Sequence, residues 1–147
     1  MVIGYKNQAK KAEPICFNQC YKIENKSKNN IIMKTNFRFG EVLKFNEVVE
    51  YNSERVEFRP VFETTKGGVS LIAMKAGQKL DTHTAPFEVM VTVCEGEIEF
   101  TMLDQSRILR AGEFLLKGAN VPHSVVANID SKLMLVKIKD DPHNTDI

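Results

Sequence analysis

The sequence predicts an all-β domain, and three observations indicate this class. Apolar and polar residues alternate with a period of two over several short stretches, as in strands that bury one face. Turns rich in glycine, proline and asparagine separate these stretches at the regular spacing of a sandwich or barrel. After residue 51 the sequence shows no helical period of ten residues and no glycine-rich loop opening a helix.

Length and composition indicate one globular domain. A chain of 147 residues buries a core without needing disulfides, and its 43% apolar and 27% charged residues are ordinary values. The sequence has no apolar run long enough for a membrane span and no N-terminal block suited to a signal peptide. Its three cysteines, an odd number, fit reduced thiols better than a disulfide framework. We therefore expect a cytoplasmic protein that does not bind membranes.

The first 34 residues differ in composition from the rest of the chain. They hold seven lysines and two glutamates, a net charge of +5, whereas residues 35–147 hold thirteen basic and seventeen acidic residues, a net charge of −4. The polar tract 25–30 cannot bury enough surface to offset its ordering entropy. We expect residues 1–34 to form a weakly structured polar extension and residues 35–147 a single β-barrel domain. Because the lysines are scattered and the body is acidic, nucleic-acid binding is not expected.

The strands follow one another from residue 55. Before them, residues 37–51 form an apolar packing segment, either a strand or a short helix. Residues 55–63 alternate most clearly, and Pro60 within them should lie at an edge or a bulge because it cannot donate a backbone hydrogen bond. Gly96 lies in a tight hairpin that should require a positive φ. Further strands are predicted at 69–75, 79–83, 89–94, 97–103, 106–110, 113–117, 123–128 and 132–139.

Two motifs, each containing one histidine, stand among these strands. The first reads Gly77-x5-His83-x-Ala85-Pro86-x-Glu88, and Gly96 follows it. The second reads Gly112-x5-Gly118-Ala119-Asn120-x-Pro122-His123. Their order and spacing resemble the two signature motifs of the cupins, small β-barrels that enclose a ligand or metal pocket. The resemblance covers about residues 55–139 and implies a double-stranded β-helix, the jelly-roll cupin barrel.

The chain departs from the cupin pattern at the metal ligands. Ala85 stands where the family has its second histidine, and Val89 stands at the carboxylate position, with Glu88 one residue earlier. By this resemblance His83 and His123 remain of the four family ligands, and Glu88 is the candidate for a third. Such a set would suit a divalent iron, manganese, nickel or zinc ion.

Strand alternation bears on the pocket that the resemblance implies. Glu88 and Val89 point to opposite faces of their strand unless a bulge reorients one of them. If Val89 faces the interior, as the family pattern implies, alternate residues along the strand face it too, and Glu88 points away. The expected pocket residues are His83, Val89, Val91, Val93 and His123.

Two functions compete at this point, and the same barrel as a sensing module for a partner protein stays a third possibility. The first is a binding module that holds an apolar or weakly polar small molecule. The second is a metal-dependent enzyme, of dioxygenase, isomerase or decarboxylase type, acting on a small carbonyl, sugar-like or aromatic substrate. The sequence has no nucleophile elbow, phosphate loop or dinucleotide fingerprint. The resemblance also implies a homodimer, with residues 37–51 as a candidate interface.

Overall fold

The computed structural model describes residues 19–22 and 32–139, which form eleven strands and one short helix. In chain order the elements are β1 (Gln19–Lys22), β2 (Ile32–Thr35), α1 (Phe45–Val48), β3 (Glu57–Thr64), β4 (Gly67–Met74), β5 (Lys79–His83), β6 (Glu88–Glu95), β7 (Glu97–Met102), β8 (Gln105–Arg110), β9 (Phe114–Lys117), β10 (His123–Ala127) and β11 (Ser131–Ile138). Within these described ranges, no helix is long and apolar enough to cross a membrane.

The strands form two antiparallel sheets. The seven-stranded sheet has the order β1-β2-β3-β4-β11-β6-β9, and the four-stranded sheet has the order β5-β10-β7-β8. From β4 onward the chain passes back and forth between the two sheets, and only β7 and β8 follow each other in the same sheet. This winding is a double-stranded β-helix, so the predicted all-β jelly-roll class is confirmed.

The strands predicted from the sequence correspond to β3 through β11, with ends that differ by a few residues. The register between β3 and β4 shifts between Pro60 and Phe62, so the predicted irregularity at the proline is present. Gly96 has a φ of +87°, and a Cβ there would collide with the backbone of Asp130 and Ser131. Only glycine therefore fits this hairpin without moving β11.

Strands β1 and β2 extend the seven-stranded sheet beyond β3. β1 pairs with β2, and β2 pairs with β3 through Lys34 opposite Glu63 and Thr35 opposite Phe62. The side chain of Thr35 also donates a hydrogen bond to the carbonyl of Val61 at 2.7 Å. The predicted boundary at residue 34 thus falls inside β2, and the division into an extension and a barrel stays a prediction.

The core has two parts, on opposite faces of the seven-stranded sheet. The larger lies between the two sheets, and the smaller lies on the outer face of the seven-stranded sheet, where α1 and the residues after it cover Leu71 and Ala73. The packing role predicted for residues 37–51 therefore belongs to their second half. Members of the inner cluster are Ile72, Met74, Val89, Val91, Val93, Ile98, Phe100, Leu109, Val125, Ala127 and Leu133.

Candidate functional site

The two histidines of the sequence motifs meet on neighbouring strands of the four-stranded sheet. His83 ends β5 and His123 begins β10, and the two residues are directly paired across the strands. Their ring centroids are 4.2 Å apart, with the planes tilted by 52°. Phe100 of β7 stacks on His123, with ring centroids 5.5 Å apart and planes within 12°. Residues forty positions apart in the sequence thus form one histidine pair.

Hydrogen bonds to the backbone fix both rings in the same way. The Nδ1 of His83 lies 2.8 Å from the carbonyl oxygen of Asp81, and the Nδ1 of His123 lies 2.9 Å from that of Val121. Because a carbonyl oxygen only accepts hydrogen bonds, each Nδ1 carries the proton. When the ring carries no second proton, its Nε2 keeps a lone pair for another partner.

The two histidines differ in burial. His123 is 8% exposed, whereas His83 is open to solvent at the end of its strand. Burial lowers the pKa of His123 below the usual 6.5; the bond to Val121 opposes this, and the nearby His83 and Lys117 lower it further. His123 is therefore a neutral imidazole at pH 7.

A cavity of about 130 Å³ lies between the sheets beside the histidine pair. A cavity of roughly this size accommodates a molecule as large as benzene. Phe58, which is half exposed, lies at its border. Most of the wall is apolar and comes from both sheets: Ile72, Leu80, Val89, Val91, Phe100, Val125, Leu133 and Leu135.

The structure places the residues predicted on β6 in three different positions. Val89 and Val91 face the interior and line the cavity together with the histidines. Val93 continues the same face, but it is fully buried in the core and does not border the cavity. Glu88 is exposed and lies outside the lining, as alternation with Val89 requires.

Two lysines that the sequence reasoning did not select also line the cavity. Lys117 of β9 and Lys137 of β11 both pair with Val89 of β6, one on each side, so the three residues form a row on the inner face of the seven-stranded sheet. Alternation puts Lys117 on the face of Leu115 and Lys137 on the face of Leu135, but it does not tell which face of β9 is the inner one.

Lys117 is the more deeply buried of the two lysines, at 2% exposure. Its Nζ donates to the carbonyl oxygen of Gly118 at 3.0 Å and, at the longer distance of 3.5 Å, to that of Ala85. Burial lowers the pKa of Lys117, and the carboxylate of Glu88 opposes this effect. Lys137 is better compensated, because Glu63 lies 3.7 Å from its Nζ.

Comparison with known proteins identifies the family. The model of the cupin domain matches residues 70–138, from β4 to the end of β11. The chain carries a cupin domain. No curated protein matches the sequence. Cupins commonly bind small molecules, and some are enzymes.

Solved structures show the same fold. A conserved protein of unknown function from Streptococcus pyogenes is 22% identical, with a TM-score of 0.68 over 73% of this chain and 94% of that one. A cupin superfamily protein from Desulfitobacterium hafniense is 17% identical, with a TM-score of 0.67 over 72% and 97%. A cupin 2 conserved barrel domain protein from Leptotrichia buccalis is 29% identical, with a TM-score of 0.61 over 63% and 45%.

Cupins often bind transition metals, which require several donor side chains at one place. Catalytic zinc sites in proteins use three protein ligands and keep one position open. In residues 19–22 and 32–139 no three His, Cys, Asp or Glu side chains cluster closely enough to hold a metal ion, so Glu88 does not join the histidine pair. Lys117 also lines the cavity, and its positive charge repels a cation. The donor set does not fit a divalent metal ion.

Two open grooves lie outside this cavity. One, of about 470 Å³, lies on the surface between residues 47–52 and residues 57–59, and three glutamates contribute to it. The other, of about 270 Å³, borders His123 on the side of the β7–β8 turn. Neither combines an apolar wall with converging polar groups as the interior cavity does, so the interior cavity is the candidate site.

Proposed function

We propose that this cupin domain binds a small, mainly apolar organic molecule in the cavity between its sheets. One observation carries the proposal. A cavity of about 130 Å³ has apolar walls from both sheets and a polar end made by His83 and His123. Ligand sites in proteins combine a mostly apolar surface with a few fixed polar groups in this way.

In this proposal the apolar and polar parts of the ligand contact different parts of the cavity. An apolar body would lie against Val91, Val125 and Leu135, where burial of its surface supplies most of the binding free energy. A polar group at the other end would meet the Nε2 atoms of the histidine pair, which accept hydrogen bonds in the neutral form. Because both rings are held by backbone carbonyls, this end is preorganised before the ligand arrives.

A metal-dependent enzyme is the second candidate, and one observation favours it. The Nδ1 atoms of His83 and His123 are bound to backbone carbonyls, which is how metal-binding histidines are commonly oriented for ligation through Nε2. The missing third ligand and the nearby ammonium of Lys117 weigh against it. We therefore favour small-molecule binding over metal-dependent catalysis.

We also propose a homodimer in the cytoplasm. The thiol of Cys94 is free, as expected of a reduced compartment. Val42 and Leu43 precede α1 and are exposed, so this part of the segment 37–51 offers apolar surface to a second copy. A scattering mass equal to one chain at micromolar concentration would contradict the dimer.

Binding in the cavity is tested by methyl NMR with a set of small organic probes of benzene size, together with a variant that fills the cavity. In the wild-type protein the methyl signals of Val89, Val91 and Leu135 should shift with saturation. Val91→Phe places a ring in the cavity and should abolish these shifts. Leu116→Phe is the matched control, because Leu116 lies on β9 with 67% exposure and points outward.

Two results would contradict the proposal. One is that no probe, neutral or charged, shifts the cavity methyl groups at millimolar concentration. The other is that Val91→Phe and Leu116→Phe bind the probes as the wild type does, which would place the site elsewhere. Heat denaturation of both variants shows beforehand that they are folded.

A further inference from the structure

The charged groups that line the cavity all have the same sign. Lys117 and Lys137 are the charged residues of its wall, and no aspartate or glutamate borders it in the part of the chain that the structure describes. The two lysines lie on either side of Val89 in one cross-strand row. The next row along the same three strands, Leu135–Val91–Leu115, is entirely apolar. On β11 the cavity wall therefore changes from apolar Leu135 to basic Lys137 within two residues.

The ammonium of Lys117 has hydrogen-bonding capacity left over. It carries three N–H donors, of which one makes a bond of 3.0 Å to Gly118 and another a long contact of 3.5 Å to Ala85. No carboxylate of the described residues forms an ion pair with it, although the side chain is almost completely buried. A buried charge without a counter-ion is costly, so a group that neutralises it from within the cavity would bind favourably.

Lys137 is not in the same position. Its Nζ lies 3.7 Å from a carboxylate oxygen of Glu63 and 6.0 Å from the ring centre of Phe87. Lys137 thus has a carboxylate within ion-pair distance, whereas the carboxylate of Glu88 acts on Lys117 without forming an ion pair among the described residues. The charge left to be matched from inside the cavity is a single positive charge, which suits a monoanion.

From these observations we infer that the ligand is a small monocarboxylic acid with an apolar body of about benzene size. Its carboxylate, which cannot donate to the Nε2 lone pairs of the histidines, binds the ammonium of Lys117, and its body lies against Val91 and Leu135 of the apolar row. This inference rests on the proposed function, since it names the chemical class of the molecule that the cavity binds. A bulkier dianion such as a sugar phosphate would exceed both the volume and the uncompensated charge.

The test compares three probes that share a benzene ring and differ in charge: benzoate, benzamide and benzylammonium. Calorimetry and methyl NMR on the full chain should give the affinity order benzoate, then benzamide, then benzylammonium, with about tenfold between the first two. Added salt should weaken benzoate binding and leave benzamide unchanged. This series needs no mutation, so it remains decisive if a variant does not fold.

Variants then assign the effect to Lys117. Lys117→Met should lower benzoate affinity about tenfold and leave benzamide affinity unchanged, because the ammonium is removed and the chain length is kept. Lys117→Arg keeps the charge and should retain the preference for benzoate. Lys132→Met is the matched control, because Lys132 is also buried, at 5% exposure, but lies outside the cavity wall.

The outcomes separate this inference from the proposed function. If benzamide binds as tightly as benzoate, the cavity binds small molecules but the carboxylate inference is wrong. If benzoate is preferred equally by the wild type and Lys117→Met, the assignment to Lys117 is wrong. If none of the three probes shifts the cavity methyl groups, both the inference and the proposed function are overturned.

Discussion

Two lysines are buried on opposite faces of the seven-stranded sheet, and their surroundings differ. Lys132 lies on the outer face, where its Nζ donates to the carbonyl oxygen of Asn46 at 2.6 Å and lies 4.8 Å from the ring centre of Tyr51. Lys117 lies on the inner face, where the protein offers its Nζ one good carbonyl partner. The residues around α1 thus complete the environment of the outer lysine, and nothing comparable completes that of the inner one.

This difference indicates that the buried charge of Lys132 is structural and that the buried charge of Lys117 is available for binding. Lys132 fastens the segment around α1 to β11, because its partner Asn46 lies in that helix. Lys117 reaches another segment only through its long contact of 3.5 Å to Ala85, and its side chain lines a cavity. A residue of the same type can therefore serve packing on one face of a sheet and ligand recognition on the other. The following predictions test this contrast.

The largest effect is expected from reversing the charge at the cavity. Lys117→Glu would add a carboxylate beside the two free Nε2 atoms, which completes a set of two histidines and one carboxylate. At a nickel or zinc concentration one hundred times the Kd, bound metal should stabilise this variant by about 2.7 kcal/mol. Thermal unfolding with and without metal, and elemental analysis, measure the gain.

Lys132→Glu is the matched control for this gain, because it places the same carboxylate on the outer face of the sheet, away from His83 and His123. It should show no saturable response to the metals. Stoichiometric metal in the untagged wild-type protein, lost in His83→Ala and His123→Ala, would contradict our reading of the donor set and restore the metal-dependent enzyme.

The second prediction concerns stability in the absence of ligand. Lys132→Met removes a charged hydrogen bond and a cation–π contact, so it should lower the free energy of unfolding by about 2 kcal/mol. Lys117→Met removes a poorly compensated buried charge, so it should change the free energy of unfolding by less than about 1 kcal/mol or increase it. Urea unfolding at pH 7 compares the two variants. Equal losses would mean that both lysines are structural.

The third and smallest effect is a pH dependence that Lys117 influences. Because the pKa of His123 is lowered in the folded protein, the unfolded chain takes up a proton near pH 6.5 that the folded chain does not. The free energy of unfolding should therefore fall as the pH is lowered from 7 through 6. His83 on β5 and Lys117 on β9 act on this ring directly. Lys137 on β11 lines the same cavity, and Asp104 lines the groove of about 270 Å³ on the other side of His123. Glu88 on β6 acts on Lys117.

Variants separate these contributions to the pH dependence. In Lys117→Met the pKa of His123 rises toward its usual value, so the loss of stability on acidification should be smaller than in the wild type. His123→Gln should remove this part of the loss. Lys132→Met should retain it in full. Urea unfolding at several pH values between 5 and 8 gives the slopes, and equal slopes in wild type and His123→Gln would contradict the assignment.

The strand order along the chain was predictable because its signals are local. Residues 55–63 alternate between apolar and charged side chains, and a turn closes each end, so β3 is visible without any tertiary information. The register shift at Pro60 was predictable because proline cannot donate a backbone hydrogen bond, and the positive φ of Gly96 because glycine has no Cβ. The closure of the strands into two sheets came from the resemblance to the cupins, because pairing between distant strands has no local signal.

The site was less predictable, because it depends on the register of several strands. The resemblance singled out His83 and His123, and their pairing follows from the register of β5 and β10. Lys117 was missed because β9 reads Phe-Leu-Leu-Lys, with apolar residues on both faces, so alternation alone does not tell which face is inner. The exposure of Phe114 and Leu116 in the folded chain resolves this ambiguity.

The strand that carries Lys117 has four residues and lies at the end of its sheet, with β6 as its neighbour there. Short edge segments separate from their neighbours far more often than central ones do. A ligand would thus reach the cavity when this edge strand separates transiently from β6, while the central strands stay paired. Amide hydrogens of β9 should exchange with solvent much sooner than those of β4 and β11, and a bound acid should slow them selectively.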